Sequence, residues 1–528
     1  MTESVAELAW TVDDAVRAHA AARPDDIAFV GRDRDLTWRE LDEAADRAAG
    51  LLERRGIGPG DRVGWLGKND MGYPVTLLGA WRRRAALVGL NWRLPVPGLA
   101  ASAGAVDLAY LVAGAEFADI APSVMPADRC RILDQAALPW PDEPAGERLA
   151  PLPGDEALIY YTSGTTGAPK VVPLTHEAVA STLRYADVHG FGRDSRLLIV
   201  PPVFHAAGAT WIQYGLEIGA TQVLSADATP PGLVRTLSEQ RITHVILVPA
   251  LIRAVLDRLR SEPTPLPHLR HVGYGTSAIA GALLDEAIDA LGCEFGQVYG
   301  MTEGGGGLCF LFPADHRPGG AHPERLASAG RPGPGVDLSV RDVATGAELP
   351  AGESGELWFR APSMTRGYLG DPAATARTIV DGWLNSRDIG YVDADGYVYV
   401  RGRSDDMIVT GGENVHPAEV ENTIVRFPAV QECAVYGVPD ERWGQRVCAS
   451  VVPRTPGLTS DEVRAYCREH LPGYKVPKLI RIVGELPRNA TGKVLRSRLV
   501  EDTAEDTAEA AAEDTAREAA VADTVAQG

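Results

Sequence analysis

Apolar positions early in the chain keep a helical spacing. Leu41, Ala44, Ala45, Ala48, Leu51 and Leu52 fall on one face, and Gly56 ends the run. Thr37 and Glu40 stand ahead of it as a capping-box pair, with Leu36 and Leu41 placed for a hydrophobic staple. From there to residue 300, short apolar runs (197–200, 244–248) alternate with amphipathic stretches (230–240, 251–260). That alternation predicts α/β layers. Between 330 and 402 the pattern turns to Gly-, Pro- and Asp-punctuated extended segments, among them Gly355-Glu-Leu-Trp-Phe-Arg360 and Gly396-Tyr-Val-Tyr-Val-Arg401. These predict a β-rich subdomain.

After residue 406 the pattern restarts as a separate α+β unit. It opens with a Gly411-Gly412 turn and a helix over 417–427, followed by strands at 433–438 and 447–452. A helix over 461–471 and a strand at 479–483 complete it. The expected fold class is therefore α/β: a large N-terminal domain of layered α/β subdomains plus a β-rich subdomain, with a small mobile α+β C-terminal domain. The expected boundaries are 1–402, a hinge at 403–406, 407–500, and an acidic low-complexity tail at 501–528, in which Glu-Asp-Thr-Ala repeats.

At about 150 residues per domain, 528 residues make three or four core-sized units, and 45% hydrophobic composition excludes wholesale disorder. The formal net charge is −20, with no basic run to suit nucleic acid. Six cysteines stand far apart with no CxxC pair, so a reducing compartment is the expectation. The N-terminus lacks a basic stretch followed by an apolar one, and no apolar run reaches the ~18 residues of a membrane span. A cytoplasmic enzyme is expected. Of the 51 basic residues only Lys68, Lys170, Lys475, Lys478 and Lys493 are lysines. Arg cannot replace Lys where a compact point charge is required, which marks those five for attention.

The densest local signal is Tyr160-Tyr-Thr-Ser-Gly-Thr-Thr-Gly-Ala-Pro-Lys170. An apolar strand runs into a loop of hydroxyls and glycines that ends on a rare lysine. Small residues let backbone N–H groups approach phosphate oxygens, and hydroxyls add donors. It is not a Walker loop, because Ala-Pro-Lys follows Gly167. Gly273-Tyr-Gly275-Thr-Ser-Ala278 fits the dinucleotide pattern G-x-G-x-x-A. Yet the next strand ends in Tyr299-Gly-Met-Thr-Glu303, where the acid comes late and behind a hydroxyl. That arrangement suits a metal or phosphate ligand better than a ribose clamp. Asp388 alone could be a cap or a ligand, and Asp393-Ala-Asp-Gly396 reads as a hairpin turn.

Together, residues 161–170, 299–303, 382–388, Gly402-Arg-Ser-Asp-Asp-Met-Ile408 with Gly411-Gly-Glu-Asn414, and Pro487-Arg-Asn-Ala-Thr-Gly-Lys493 resemble the adenylate-forming superfamily. That superfamily takes in acyl-CoA synthetases, aryl-CoA ligases, luciferases and peptide-synthetase adenylation domains. Five motifs stand in the family's order over residues 10–500. Asn91-Trp-Arg-Leu94, Phe204-His205 and Pro439-Asp-Glu-Arg-Trp443-Gly look closest to fatty-acid and aryl acyl-CoA ligases. The chain departs from the family in four places. Val171 follows Lys170 where Gly is usual, and Arg387 stands for the Gly before Asp388. Four glycines, 304–307, replace bulkier side chains along the acyl pocket, and residues 101–115 match poorly.

The resemblance implies that a carboxylate attacks the α-phosphate of ATP to give an acyl-adenylate and pyrophosphate, and that a thiol, typically of CoA, then displaces AMP. In that scheme Lys493 bridges carboxylate and phosphate, Glu303 holds Mg²⁺, and Thr302 lies on the α-phosphate. Thr162, Ser163, Gly164, Thr165, Thr166, Gly167 and Lys170 cover the β- and γ-phosphates. Gly275, Thr276, Ser277, Tyr299 and Gly300 flank the adenine. Asp388 accepts the ribose hydroxyls, with Arg403 assisting. Gly411 and Gly412 complete a pantetheine channel, and Trp443 stacks on the CoA adenine or anchors the small domain. His205 completes the catalytic set as a pocket residue rather than an acid/base, or is a core histidine. Asp405 takes the hinge position of a domain alternation.

The implied partners are a small carboxylic acid and no nucleic acid; a homodimer and a carrier protein stay open. Competing readings keep the adenylate but pass it to a carrier-protein thiol, an amine or nitrite. A non-catalytic nucleotide-binding regulator is disfavoured by the retention of Lys493, Glu303 and Asp388.

Overall fold

Thr37 caps the helix expected after it. Its hydroxyl accepts from the Glu40 N–H at 3.2 Å, and Glu40 accepts from the Thr37 N–H at 2.9 Å. The helix runs Trp38–Arg54 and buries Leu41, Ala44, Ala45, Ala48, Leu51 and Leu52. The computed structural model describes residues 11–503, except 33, 134–137, 139–142, 163–169, 226, 277–278, 280, 318, 405, 441, 489–493 and the side chain of Asn414.

The chain divides into two units. One comprises the residues up to Ser386 together with Tyr391–Tyr399. The other takes Arg387–Gly390 and everything from Val400.

In the large unit a nine-stranded sheet has the order Arg331–Pro332, Gly306–Leu311, Glu294–Met301, His271–Gly275, His244–Leu247, Arg196–Ile199, Thr221–Leu224, Ile27–Val30, Asp35–Thr37. Its interior strands pair in parallel, and the antiparallel pairs lie at the two ends. Parallel strands are covered on both faces, which is why the runs at 197–199 and 244–247 are continuously apolar rather than alternating. A six-stranded sheet has the order Cys130–Leu133, Tyr110–Gly114, Arg62–Leu66, Ala86–Gly89, Glu156–Thr162, Lys170–Thr175. One core takes in side chains of both sheets, with Phe29 and Ile199 from the first, Trp65 and Leu158 from the second, and Trp81 and Trp211 from helices. Burying each such aliphatic or aromatic side chain contributes about 1.5–3 kcal/mol, so this shared core fixes the two sheets against each other.

A third sheet pairs Asp337–Arg341 with Gly355–Arg360, and Ile379–Val380 with Trp383–Val392, along which Val398–Arg403 also lies. The expected turn before that last strand forms. Asp393 accepts from the N–H groups of Asp395 and Tyr397, both at 2.9 Å.

The small unit holds the strands Ile408–Thr410, Glu413–Val415, Val430–Asp440, Gly444–Pro453 and Leu479–Ile482, with helices Pro417–Ile424 and Ser460–His470. Its own core joins Ile408, Val420, Val435, Val447, Val463 and Ile480. The first helix stops three residues short of the expected 427, because Phe427 turns back to donate to the Ile424 carbonyl.

Candidate active site

Two strands bring the ends of the hydroxyl- and glycine-rich loop together. Glu156–Thr162 and Lys170–Thr175 are antiparallel, and their last pair is Thr162 with Lys170. The loop therefore leaves and re-enters the sheet at one place. Ser163, Gly164, Thr165, Thr166 and Gly167 lie outside the described residues. Val171 is buried and accepts from the Leu369 N–H at 3.0 Å. A valine here is thus an ordinary strand residue.

Thr302 and Glu303 form a short turn between Glu294–Met301 and Gly306–Leu311. Glu303 is buried, and its Oε1 accepts from the Tyr368 hydroxyl at 2.8 Å. The same tyrosine ring lies 4.6 Å from the Lys170 ammonium, a cation–π distance. One segment ties both neighbours down. Ser363 donates to the Gly304 carbonyl at 2.7 Å, and the Thr365 N–H to the Glu303 carbonyl at 2.9 Å. The Thr365 hydroxyl donates to the Pro173 carbonyl at 2.7 Å. The metal-ligand candidate and the lysine of the phosphate loop are thereby joined through Tyr368. The residue was not singled out from sequence; its one local signal is an aromatic set between Gly367 and Gly370.

The four glycines after Glu303 do not open a pocket as a group, which corrects the expectation. A Cβ on Gly304 would lie 2.7 Å from Leu308, one on Gly305 2.3 Å from the Ser363 carbonyl oxygen, and one on Gly307 2.6 Å from Phe310. Gly305 also has φ 81°, a left-handed conformation that favours glycine. Gly305 is fixed by a backbone neighbour, whereas Gly304 and Gly307 face side chains that a Cβ would displace. Gly306 has space for a Cβ, its nearest neighbour being Thr210 Oγ1 at 3.8 Å, but its φ of 116° also favours glycine.

Gly275 and Gly300 are likewise sites of close approach, to the Val298 and Gly306 carbonyl oxygens. Gly275 pairs with Val298, beside Tyr299, whose ring lies 5.9 Å from Phe359. Thr276 has φ 65°, an outlier for a β-branched residue and a form of strain found at ligand sites. Ser277 lies outside the described residues.

His205 is the N-cap of the Ala206–Ile218 helix, which also carries Thr210. Its ring packs 4.4 Å from Phe204, and its Nε2 is buried without a hydrogen-bond partner among the described residues. Burial, helped by the charge of Arg93, lowers its pKa to about 4, so it is neutral at pH 7. That state gives a hydrogen-bonding group aimed at no protein partner. Buried His176, His189 and His271 likewise carry an unpaired ring nitrogen among the described residues, so this feature alone does not separate a pocket histidine from a core one.

In the small unit Arg403 Nε lies 3.1 Å from Asp388 Oδ1, so the expected ribose pair is together. Arg387 has φ 58°, a conformation that glycine adopts without strain, and its carbonyl accepts from the Ser404 N–H at 2.8 Å. The backbone at this position thus keeps the shape a glycine would give it. Gly411 and Gly412, at φ 59° and 86°, join Ile408–Thr410 to Glu413–Val415 in the two-residue turn that needs positive φ at both positions. The Gly411 N–H donates to the Trp443 carbonyl at 2.8 Å, and the indole covers Gly411 while remaining 41% exposed. Arg442 lies 4.9 Å from that ring. Lys493 and Asp405 lie outside the described residues. Arg488 and Val494, on either side of the undescribed residues 489–493, form an antiparallel bridge.

Comparison with known proteins gives a consistent result. A sequence model of the AMP-binding enzyme family matches residues 16–369, and one of the AMP-binding enzyme C-terminal domain matches 419–493. The fatty acid–[acyl-carrier-protein] ligase ScoC of Streptomyces coeruleorubidus is 35% identical over 493 residues, covering 91% of this chain and 94% of that protein. Feruloyl-CoA synthase of an Amycolatopsis species is 35% identical over 471 residues, covering 88% and 93%. The structure of o-succinylbenzoate CoA synthetase from Bacillus subtilis, in complex with its acyl-adenylate intermediate, superposes with a TM-score of 0.82 at 28% identity. It covers 92% of this chain and 97% of that one.

Proposed function

Because the chain belongs to the AMP-binding enzyme family and is an adenylate-forming enzyme, we propose that it joins an aryl or a small to medium acyl carboxylic acid to the thiol of coenzyme A. Two half-reactions do this. The acid displaces pyrophosphate from ATP to give the acyl-adenylate, and the thiol then displaces AMP.

Negative charge gathers where two anions approach, so fixed cations must be in place beforehand. Lys170 supplies one at the exit of the phosphate loop, and Lys493 is proposed as the one that bridges carboxylate and α-phosphate. Mg²⁺ is commonly held by one or two carboxylates together with substrate phosphates, and the single buried Glu303 fits that donor set. Bound there, the cation would neutralise charge on the phosphates. Asp388, held by Arg403, is the acceptor for the ribose hydroxyls, and Gly275, Thr276, Ser277, Tyr299 and Gly300 border the adenine. Phe204 and neutral His205 line the acid pocket. Neither offers the carboxylate that an α-ammonium group would need, so α-amino acids are disfavoured.

Trp443 carries the CoA reading. A large aromatic, 41% exposed beside Arg442 and the Gly411 turn, offers a stacking face and a cation for a nucleotide. ScoC favours a second reading in which the thiol belongs to a carrier protein. Six free cysteines fit the reducing interior of a cell, the proposed place of action. Among the described residues no helix is long and apolar enough to cross a membrane.

The test is AMP release over a panel of aliphatic and aryl acids with CoA, with a phosphopantetheinylated carrier protein, or with neither. CoA-stimulated release with thioester formation supports the proposal. Release indifferent to CoA, with no thioester, hands the adenylate to another nucleophile.

A further inference from the structure

Glu303 belongs to no cluster of three or more metal-ligating side chains among the described residues, and a flexible carboxylate would be a poor ligand for a cation that demands near-ideal octahedral geometry. What steadies it is one side chain from a distant segment. The Tyr368 hydroxyl donates to Glu303 Oε1 at 2.8 Å, while the tyrosine ring stands 4.6 Å from the Lys170 ammonium. Tyr368 is itself fixed. It is buried in the main core, its N–H donates to Thr375 Oγ1 at 2.9 Å, and the next residue is hydrogen-bonded to Val171.

We propose that Tyr368 is a positioning residue that sets how Glu303 takes its metal, through one carboxylate oxygen, and so makes the site select Mg²⁺ over Ca²⁺. This rests on the reading of Glu303 as the metal ligand. Oε1 already accepts a hydrogen bond, and a cation gripped by both oxygens would crowd that O–H. One-oxygen ligation suits Mg²⁺, which sits about 2.0–2.1 Å from six ligands, whereas Ca²⁺ often takes both oxygens of a carboxylate. Removing a group that orients a ligand in this way typically costs about ten- to a hundredfold in metal affinity. The ring has a second task. It also faces the Lys170 ammonium, so the lysine that meets the phosphates and the carboxylate that meets their metal share one support.

Calorimetric titration of the full chain with ATP, in the presence of Mg²⁺, Ca²⁺ or EDTA and without a carboxylic acid, separates the possibilities. Wild type should bind ATP more tightly with Mg²⁺ than with EDTA, and gain less from Ca²⁺. Tyr368→Phe keeps the ring, so affinity in EDTA should hold. The Mg²⁺ gain should fall roughly tenfold, and the Ca²⁺ gain by clearly less. Tyr368→Leu removes ring and hydroxyl together; it should lose the same metal preference and also weaken ATP binding in EDTA. If wild type gains nothing from Mg²⁺, the metal reading of Glu303 fails whatever Tyr368 does. If wild type gains and Tyr368→Phe keeps both the gain and the Mg²⁺ preference, the proposal is overturned. Equal losses with Mg²⁺, Ca²⁺ and EDTA would also overturn it, because they show a general loss of structure.

Discussion

Asn69 holds the loop that presents Phe204 and His205, and its removal should damage acid recognition before anything else. Its Nδ2 lies within hydrogen-bond distance of three carbonyl oxygens, those of Ile199 (3.2 Å), Val200 (3.4 Å) and Pro201 (2.9 Å), and its Oδ1 accepts from the Val203 N–H at 3.1 Å. An amide has only two N–H donors, so one of those carbonyl contacts is shared. Asn69→Ala leaves the buried Val203 N–H and at least one carbonyl unpaired. At about 1–3 kcal/mol for each buried group, eased by water entering the new space, the cost is about 2–4 kcal/mol. Asn69→Asp is the sharper change. It preserves size and the acceptor for Val203 but faces three carbonyl oxygens with a carboxylate. Acid-dependent ATP–pyrophosphate exchange should then show KM for the acid raised about tenfold, which corresponds to about 1.4 kcal/mol reaching the pocket. KM for ATP should stay within twofold, and thermal melting should register the rest of the loss. Wild-type melting and wild-type KM for the acid in Asn69→Asp would refute the reasoning.

Other expectations follow from the same geometry. Lys493→Ala should lower acid-dependent pyrophosphate release about a hundredfold or more while ATP binding stays within several-fold, since one pre-placed cation is worth on the order of 3 kcal/mol; exchange at the wild-type rate would remove Lys493 from the reaction. Trp443→Ala should raise the apparent KM for CoA about ten- to a hundredfold with adenylation unchanged, a lost stacking partner being worth ~1–3 kcal/mol; an unchanged KM returns the indole to a packing role. Burial lowers the pKa of His189 to about 3 and of His244 and His316 to about 4, and pushes His271 well below its usual value. The unfolded chain therefore binds protons that the folded one refuses. Stability should fall as pH drops below 6.5, by roughly 2 kcal/mol per such histidine by pH 5, with part of the loss offset by Asp70 and Glu217, whose pKa burial raises to about 7. A melting temperature flat from pH 7.5 to 5 would contradict this.

Much of the fold was legible because local signals and tertiary packing agree. The Thr37–Glu40 capping box and the apolar face behind it form as read, and so do the strand leading into the phosphate loop and the Gly411-Gly412 turn. Boundaries drifted where pairing outran pattern. The strands read at 433–438 and 447–452 extend to Val430–Asp440 and Gly444–Pro453, because each half of a long antiparallel pair lengthens the other. Sheet order was not legible. Phe29 pairs with Gln222, and no local period reports a contact across that separation. The site divides in the same way. Glu303, Lys170, Asp388 and Arg403 carry motif signals. Tyr368 and Asn69 act through contacts with segments far away in sequence, and only the folded chain displays those. The glycine run misled because glycine marks an open pocket and a tight backbone approach alike.

The central claim is that the carboxylate itself attacks the α-phosphate. An accepted acid labelled with ¹⁸O in both carboxyl oxygens, turned over with ATP and CoA, tests it by mass spectrometry of every product. One ¹⁸O should appear in AMP, one in the thioester and none in pyrophosphate. Label in an inorganic phosphate product, or ADP in place of AMP, would contradict it.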